Sequence, residues 1–308
     1  MKLEGILPVW KPAGMTSHDV VARVRRITRE KRIGHTGTLD PQVTGVLPLC
    51  IGAATRLVEF VQELPKTYTA KLVFGIATDT EDMTGTVIAR ENGVRIDPEL
   101  LRRTIESFLG PIEQVPPMYS AVKVDGKRLY EIARSGAEVE RKPRTVTIHD
   151  IRLVSAQLQA EFPEAELEVV CSKGTYIRTL CVDIGKKLGV PAAMKELVRT
   201  KTGHWTRETC LTLEQIDDLM RSGELADRLV PMAEAVGHLP AVALDERQTE
   251  EALQGKKLRL PNEQASPLCT ASIVRAHDED GHFIGLFTWN GDEKVLVPNK
   301  VFVTSYER

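Results

Sequence analysis

Residues 34–51 read Gly34-His35-Thr36-Gly37-Thr38-Leu39-Asp40-Pro41-Gln42-Val43-Thr44-Gly45-Val46-Leu47-Pro48-Leu49-Cys50-Ile51, and the fold turns on this stretch. Its first eight residues are turn chemistry: glycines, hydroxyl side chains and a closing Asp-Pro. The apolar run Val46 to Ile51 is short enough for a buried strand. A loop that enters a buried strand directly gives its side chains rigid support. This loop offers a histidine, two threonine hydroxyls and a carboxylate between positions 35 and 40. Glycines at 34, 37 and 45 let backbone approach a ligand closely. An isolated Asp-Pro is ordinary turn sequence, so a chemical role for Asp40 depends on what the rest of the chain brings to it.

Upstream, Thr16-Ser17 can cap a helix whose apolar residues Val20, Val21, Val24 and Ile27 recur at helical spacing, among Arg23, Arg25, Arg26 and Arg29. Downstream, Tyr68 to Ala77 alternates, with Tyr68, Ala70, Leu72, Phe74 and Ile76 on one face, which predicts a strand. Asp97-Pro98 opens a helix with Leu100, Leu101, Ile105 and Phe108 on one side, stopped near Gly110. Residues 111–145, punctuated by Pro111, Pro116, Pro117, Gly126 and Gly136, read as an insertion with a short helix around 129–134. Strands are expected at 144–154 and 166–172, and a helix at 176–188. From about 237 one helix and short strands at 271–276, 283–289 and 295–303 make a small β-rich module. Strands and helices mix without regular βα alternation, so the fold class is α+β with a mixed sheet. Two domains are expected, 1–236 and 237–308.

The chain has 308 residues, 42% of them hydrophobic, enough for one large domain or a large one plus a small one. No apolar stretch approaches 18 residues, which argues against a transmembrane helix, and Met1 to Gly5 lacks a signal-peptide layout. Cys50, Cys171, Cys181, Cys210 and Cys269 are odd in number with no C-x-x-C pair, which speaks against a disulfide framework or a zinc site. A cytoplasmic protein with reduced thiols and no metal is expected. The net charge of −2 conceals an asymmetry: residues 208–308 hold 10 basic against 18 acidic side chains, residues 1–207 hold 31 against 25. A positive body with a negative tail module admits a polyanionic partner, though two solvated domains of different composition read the same way.

A second constellation is Ser172-Lys173-Gly174-Thr175-Tyr176-Ile177-Arg178, where a strand delivers a glycine turn and a helix begins. Arg178 is either a surface cap, worth little, or a guanidinium facing Asp40 in a cleft. In the second case it holds the carboxylate ionised, lowering its pKa by ~1–3 units, and fixes its direction. Tyr68 is either core or a ring face for a splayed-out base, a contact worth ~1–3 kcal/mol. Gly34-His35-Thr36-Gly37 fits the G-x-x-G of a KH loop, but Thr38 to Pro41 continues poorly as a helix. There is no Walker A and no G-x-G-x-x-G motif, so no nucleotide cofactor is expected.

Taken together these segments resemble the bacterial TruB-type tRNA pseudouridine synthases. Gly34 to Pro41 with Gly45-Val46-Leu47 is similar to the family's catalytic G-x-L-D-P-x-A-x-G-x-L segment, with Val43 where the family usually has alanine. Lys11-Pro12-x-Gly14-Met15-Thr16-Ser17 resembles its lysine-proline segment, and Lys66-Thr67-Tyr68 its catalytic-tyrosine strand. Gly75, Thr78-Asp79-Thr80, Asp82 and Gly85 resemble its next signature. Gln114 to Lys123, Gly126 and Leu129 to Gly136 are similar to its RNA-gripping insertion. Gly174 to Arg178 and Leu197-x-Arg199-Thr200 complete a series in family order over about 200 residues.

The resemblance implies a mixed, mainly antiparallel sheet with that insertion, and a small PUA-like C-terminal domain whose negative charge leaves room for at most a small RNA contact. It implies Asp40 as nucleophile, Arg178 as its ion-pair partner, and Tyr68 stacked on a flipped base with a part in proton transfer. Tyr176 and Leu197 line the uracil pocket, His35 meets the RNA where the nucleotide leaves its stack, and Lys11 supports the loop. Tyr119, Lys123, Lys127, Arg128 and Arg134 grip the RNA. The implied substrate is the TΨC loop of the tRNA T-arm at position 55. No cofactor, metal, membrane or obligatory protein partner is expected, and the chain is expected to be a monomer. The rival readings are an RNA-binding or chaperone protein without chemistry, and a guide-dependent synthase.

Overall fold

The computed structural model describes residues 3–120, 122–124, 126–134, 137, 139–261, 268 and 272–302, with backbone only at 123, 124, 127, 128, 130 and 134. In chain order, β1 (Gly5–Lys11) leads to α1 (Ser17–Thr28), β2 (Ile33–His35) and β3 (Thr44–Ile51). Next come α2 (Val58–Glu63), β4 (Lys66–Phe74), β5 (Ile76–Thr78), β6 (Val87–Arg90), α3 (Pro98–Glu106) and β7 (Gly110–Gln114). They are followed by β8 (Lys123–Val124), β9 (Lys127–Arg128), α4 (Leu129–Arg134), β10 (Arg144–Gln157), β11 (Glu164–Cys171), α5 (Ile177–Leu188) and β12 (Ala192–Thr202). The remainder is α6 (Leu213–Ser222), α7 (Met232–Ala235), β13 (Ala241–Ala243), α8 (Glu246–Leu253), β14 (Leu258–Arg259), β15 (Ile273–His277), β16 (Phe283–Asn290) and β17 (Val295–Val301).

One sheet dominates, in the order β1-β3-β12-β4-β11-β10-β7, with β2 paired to β3. All its ladders are antiparallel except β12 with β3, which run parallel at Val198↔Thr44 and Arg199↔Gly45. The sheet is mixed and mainly antiparallel, as expected. β3 is buried on both faces: Val46 and Cys50 join one apolar cluster, Leu47, Leu49 and Ile51 another. That is why its sequence reads as an unbroken apolar run. On one side of the sheet Ala70, Leu72, Phe74, Leu167 and Val169 pack with Ile177, Leu180 and Ile184 of α5. Burying such side chains supplies about 1.5–3 kcal/mol each.

Several element ends depart from the sequence reading. The strand expected to run through Ala77 stops at Phe74, because Gly75 turns the chain at φ +86° and Ile76–Thr78 pairs with β6 instead. Leu100, placed by periodicity on the inner side of α3, is 51% exposed, and Phe108 lies beyond the helix. Of the expected insertion 111–145, residues 111–114 and 144–145 pair in the main sheet through β7 and β10. The short helix at 129–134 is present as α4. Strand β12 is central to the sheet yet carries no strand signature: Ala192-Ala193-Met194-Lys195-Glu196-Leu197 is helix-forming sequence overridden by pairing on both sides.

The C-terminal sheet has five strands in the order β13-β15-β16-β17-β14, two more than the three expected. It holds its own core, including Val274, Phe287, Trp289 and Leu296. Phe283, Leu286 and Phe302 join a second cluster with Ile6, Val46, Trp205 and Met232 of the body. Arg56 reinforces that junction, donating to the Val301 carbonyl at 2.6 Å with its guanidinium over the Phe302 ring. Residues on the two sides of position 236 thus share a core.

Gly45 shows how tightly the central strands meet. A Cβ on it, at φ +133°, would lie 2.2 Å from the carbonyl oxygen and 2.7 Å from the amide nitrogen of Arg199. Gly45→Ala should therefore break the β3–β12 pairing and cost about 3 kcal/mol. Urea unfolding monitored by circular dichroism checks this, and a variant with an unchanged midpoint would contradict it.

Candidate active site

The loop between β2 and β3 is fixed from below and from the side. Lys11, fully buried at the end of β1, donates from Nζ to the carbonyls of Pro12 (2.9 Å), Pro41 (3.0 Å) and Val43 (2.7 Å). Burial lowers its pKa to about 8, the Asp40 charge acting in the opposite direction, so it is an ammonium at neutral pH. Ser17, at the start of α1, accepts the Leu39 amide at 2.9 Å and donates to the Leu39 carbonyl at 3.4 Å. α1 itself starts where expected, with a reciprocal cap in which Asp19 N donates to Thr16 Oγ1 (3.0 Å) and Thr16 N to Asp19 Oδ2 (2.8 Å).

Asp40 emerges from this loop into a cavity of about 530 Å³, within the usual range for small-molecule sites. Arg178, one residue into α5, meets it side-on: Nε lies 3.0 Å from Oδ2 and Nη2 3.4 Å from Oδ1. Its other contacts are to two main-chain carbonyls and a second acid. Nη1 donates to the Thr80 carbonyl at 3.0 Å and Nη2 to the Tyr119 carbonyl at 2.8 Å, and Asp82 Oδ2 stands 3.9 Å from Nη1. The turn that presents Thr80 is held by Glu81 at φ +65°, whose carboxylate accepts from Thr179 Oγ1 at 2.7 Å and whose carbonyl accepts the Met194 amide at 3.0 Å. Such a conformation persists only when its surroundings enforce it.

The electrostatics correct one expectation. Arg178 was expected to bring the Asp40 pKa down. The carboxyl instead titrates above the usual aspartate range, because burial raises it more than Arg178 lowers it, with Asp82 pushing the same way as burial and Lys11 opposing. Its side chain keeps 38% of its surface open to the cavity, whereas the Arg178 side chain keeps 6%. The cation is locked in protein and the anion faces the space a substrate would fill.

Tyr68, Tyr176, Leu197 and Val43 line the same cavity. Burial raises the pKa of both phenols, so both are neutral at physiological pH. Tyr176 precedes α5 and is clasped by Gln114 of β7, which accepts its amide (2.9 Å) and donates to its carbonyl (3.1 Å). His35 is not among the cavity-lining residues. It is half-buried, edge-on to His18 with ring centroids 5.2 Å apart, and its Nδ1 accepts the Gly37 amide at 3.4 Å. Tyr119 reaches the site through its carbonyl; the side chains of Lys123, Lys127, Arg128 and Arg134 lie outside the described residues, as do Gly136 and Cys269.

In the sequence Arg199 stands out only as part of a resembling segment. It is 1% exposed, donates from Nε to the Val46 carbonyl (2.7 Å) and from Nη2 to the Gly37 carbonyl (3.3 Å), and faces the Tyr68 phenol. Gly37 and Gly45, read as making room for a ligand, make room for Arg199: a Cβ on Gly37 would lie 3.5 Å from Arg199 Nη1, and Gly45 abuts the Arg199 backbone. Four positions stand in one row across the sheet, Lys11↔Gly45↔Arg199↔Tyr68. No local signal in the sequence marks that row, because it exists only once the four strands are in register.

The profile of the TruB family pseudouridylate synthase N-terminal domain matches residues 25–177, and that of the tRNA pseudouridylate synthase B C-terminal domain matches 178–237. A Bacillus licheniformis protein named tRNA pseudouridine synthase B is 44% identical over 99% of both chains. A Bacillus subtilis protein of the same name is 41% identical over 99% of this chain and all of its own. Among solved structures, a Cbf5-Nop10-Gar1 complex aligns over 97% of this chain and 85% of its own with a TM-score of 0.74 and 26% identity.

His35 supplies a pH test. Burial, with His18 and Arg199 nearby, lowers its pKa to about 4 from the ordinary 6.5. An unfolded chain therefore binds a proton near pH 6.5 that the folded one refuses until about pH 4, so stability is lost as pH falls through that window. Urea unfolding of wild type and His35→Gln between pH 7.5 and 4.5 should show a gap that closes or reverses on acidification. Parallel profiles would place the titration elsewhere.

Proposed function

The chain belongs to the TruB family of pseudouridine synthases, a family of isomerases, and from that premise we propose that it converts uridine to pseudouridine at position 55 in the TΨC loop of tRNA, with Asp40 as the nucleophile. The observation that carries this reading is the Asp40–Arg178 pair: a buried guanidinium, bonded at each of its nitrogens, aims an open carboxylate into a cavity sized for a nucleoside.

The reaction breaks the N1–C1′ bond, turns the base and joins C5 to C1′; a proton leaves C5 and one is gained at N1. These atoms are inaccessible in a stacked loop, so the nucleotide is everted into the cavity at a cost of a few kcal/mol. Stacking of the uracil on Tyr68 and phosphate contacts from the basic half offset that cost. Asp40 attacks C1′, adds to C6 or removes the C2′ proton. Its raised pKa makes the ionised carboxylate a stronger base and nucleophile than one clamped low, and Arg178 limits the rise and fixes its direction. Arg199 and the neutral Tyr68 phenol are adjacent polar groups beside the base, which suits Tyr68 to a proton-transfer step at C5. Lys11 holds the loop, Tyr176 and Leu197 enclose the uracil, and His35 meets the RNA at the cavity edge. A purely RNA-binding role is disfavoured, since an open carboxylate in the binding cleft repels phosphates. Close likeness along the full chain to synthases named for tRNA favours action without a guide.

Asp40→Asn should leave tRNA binding within about twofold of wild type and abolish tritium release from 5-³H-uridine tRNA. Substantial residual release would remove Asp40 from the chemistry. Arg178→Ala should lower kcat by about 10²-fold or more with little change in KM, because it unaims the carboxylate without touching the RNA. Equal losses in tRNA affinity and turnover would make Arg178 an RNA contact instead.

A further inference from the structure

Five cationic side chains line the cavity, Lys66, Arg144, Lys173, Arg178 and Arg199, against the single carboxylate of Asp40. Four of the five are engaged by the protein. Lys66 Nζ donates to the Gln62 carbonyl and, at 2.7 Å, to that of Leu64. Lys173 pairs with Glu63, and the two buried arginines have the partners given above. Arg144 alone is exposed with no hydrogen-bond or ion-pair partner among the described residues. The nearest acid along its own ladder, Glu113, is occupied by the Thr145 hydroxyl.

Its placement is nevertheless rigid. Arg144 opens β10 in register with Gln114 of β7, the residue whose carboxamide clasps the Tyr176 backbone. The root of the Arg144 side chain is thus keyed to Tyr176 through one ladder pair and two hydrogen bonds, and its charge is felt at the Tyr176 phenol. Ser120 beside that ring is buried, its hydroxyl set against the Tyr176 phenol. A free guanidinium beside a ring that encloses a neutral base suits the one charged part of the substrate. Uracil has no use for a cation, whereas each nucleotide brings a phosphodiester.

We infer that Arg144 binds a backbone phosphate flanking the everted nucleotide and so positions the strand at the cavity mouth. This rests on the reading of the cavity as a uridine-isomerising site and adds a substrate contact to it. Phosphate contacts of this kind set register and carry no sequence information.

The test uses the full-length protein and T-arm stem-loop RNAs that each carry one neutral methylphosphonate at a linkage flanking the target uridine. Wild type should lose about 10-fold in kcat/KM at one linkage. Arg144→Ala should lose a similar factor on unmodified RNA through KM, with unchanged kcat and thermal stability, and lose nothing further at that linkage. The slope of log kcat/KM against log salt should fall by about 0.7 in Arg144→Ala, as for one phosphate of a single strand, and recover in Arg144→Lys. Wild-type KM and salt slope in Arg144→Ala, or an undiminished methylphosphonate penalty, would overturn the inference while leaving the isomerase reading intact. A wild-type protein that forms no pseudouridine in unmodified RNA would overturn both.

Discussion

The site depends on one buried guanidinium having a partner at each of its nitrogens. Arg178 is buried, and a buried cation without partners is too costly to keep. Its partners come from three distant stretches: the Asp40 loop, the strained turn at Thr80 and the start of the insertion at Tyr119. Satisfying Arg178 therefore draws these segments together around the first turn of α5. The geometry of the candidate site and the closure of the fold on this side of the sheet are the same set of hydrogen bonds. Moving Asp40 away would leave the buried cation with only the more distant Asp82 as an anion, so the carboxylate is placed by the cost of the alternative as much as by its own loop.

The second arginine does a different task. Arg199 donates to the main-chain carbonyls of Val46 and Gly37 and sits between Gly45 and Tyr68 in the sheet. It ties the loop before β3 to β12 and faces the one tyrosine on β4. Arg178 sets the direction of the carboxylate, and Arg199 sets the distance between that loop and the ring expected to hold the base. With both arginines bonded internally, the free charge of the cavity falls to its mouth, where the polymer rather than the base would be met.

What the sequence could reveal follows from how local each signal is. The Thr16 cap, the buried run of β3 and the glycine turn before α5 are set by neighbours within a few residues, and all three are found where their residues predict. Asp40 and Arg178 could be nominated because each stands in a compact polar turn, though only the structure shows them 3.0 Å apart. β12 was unreadable, since its alanines, lysine and glutamate favour a helix and its strand state comes from pairing with β3 and β4. Arg199 was hidden for the same reason. The glycines at 37 and 45 were legible as places of close approach, but sequence named the wrong visitor. The direction of the Asp40 titration was missed because an ion pair can be imagined from sequence, whereas the desolvation that outweighs it is a property of the assembled cavity.

The row Lys11–Gly45–Arg199–Tyr68 runs inward from the end strand β1 through β3 and β12 to β4 and uses their ladder bonds as its scaffold. Local opening in proteins follows cooperative units, and central strands of a sheet open last. The machinery therefore has no cheap way to melt alone while the body persists. Amide protons of β3, β12 and β4 along this row should be among the slowest to exchange with solvent.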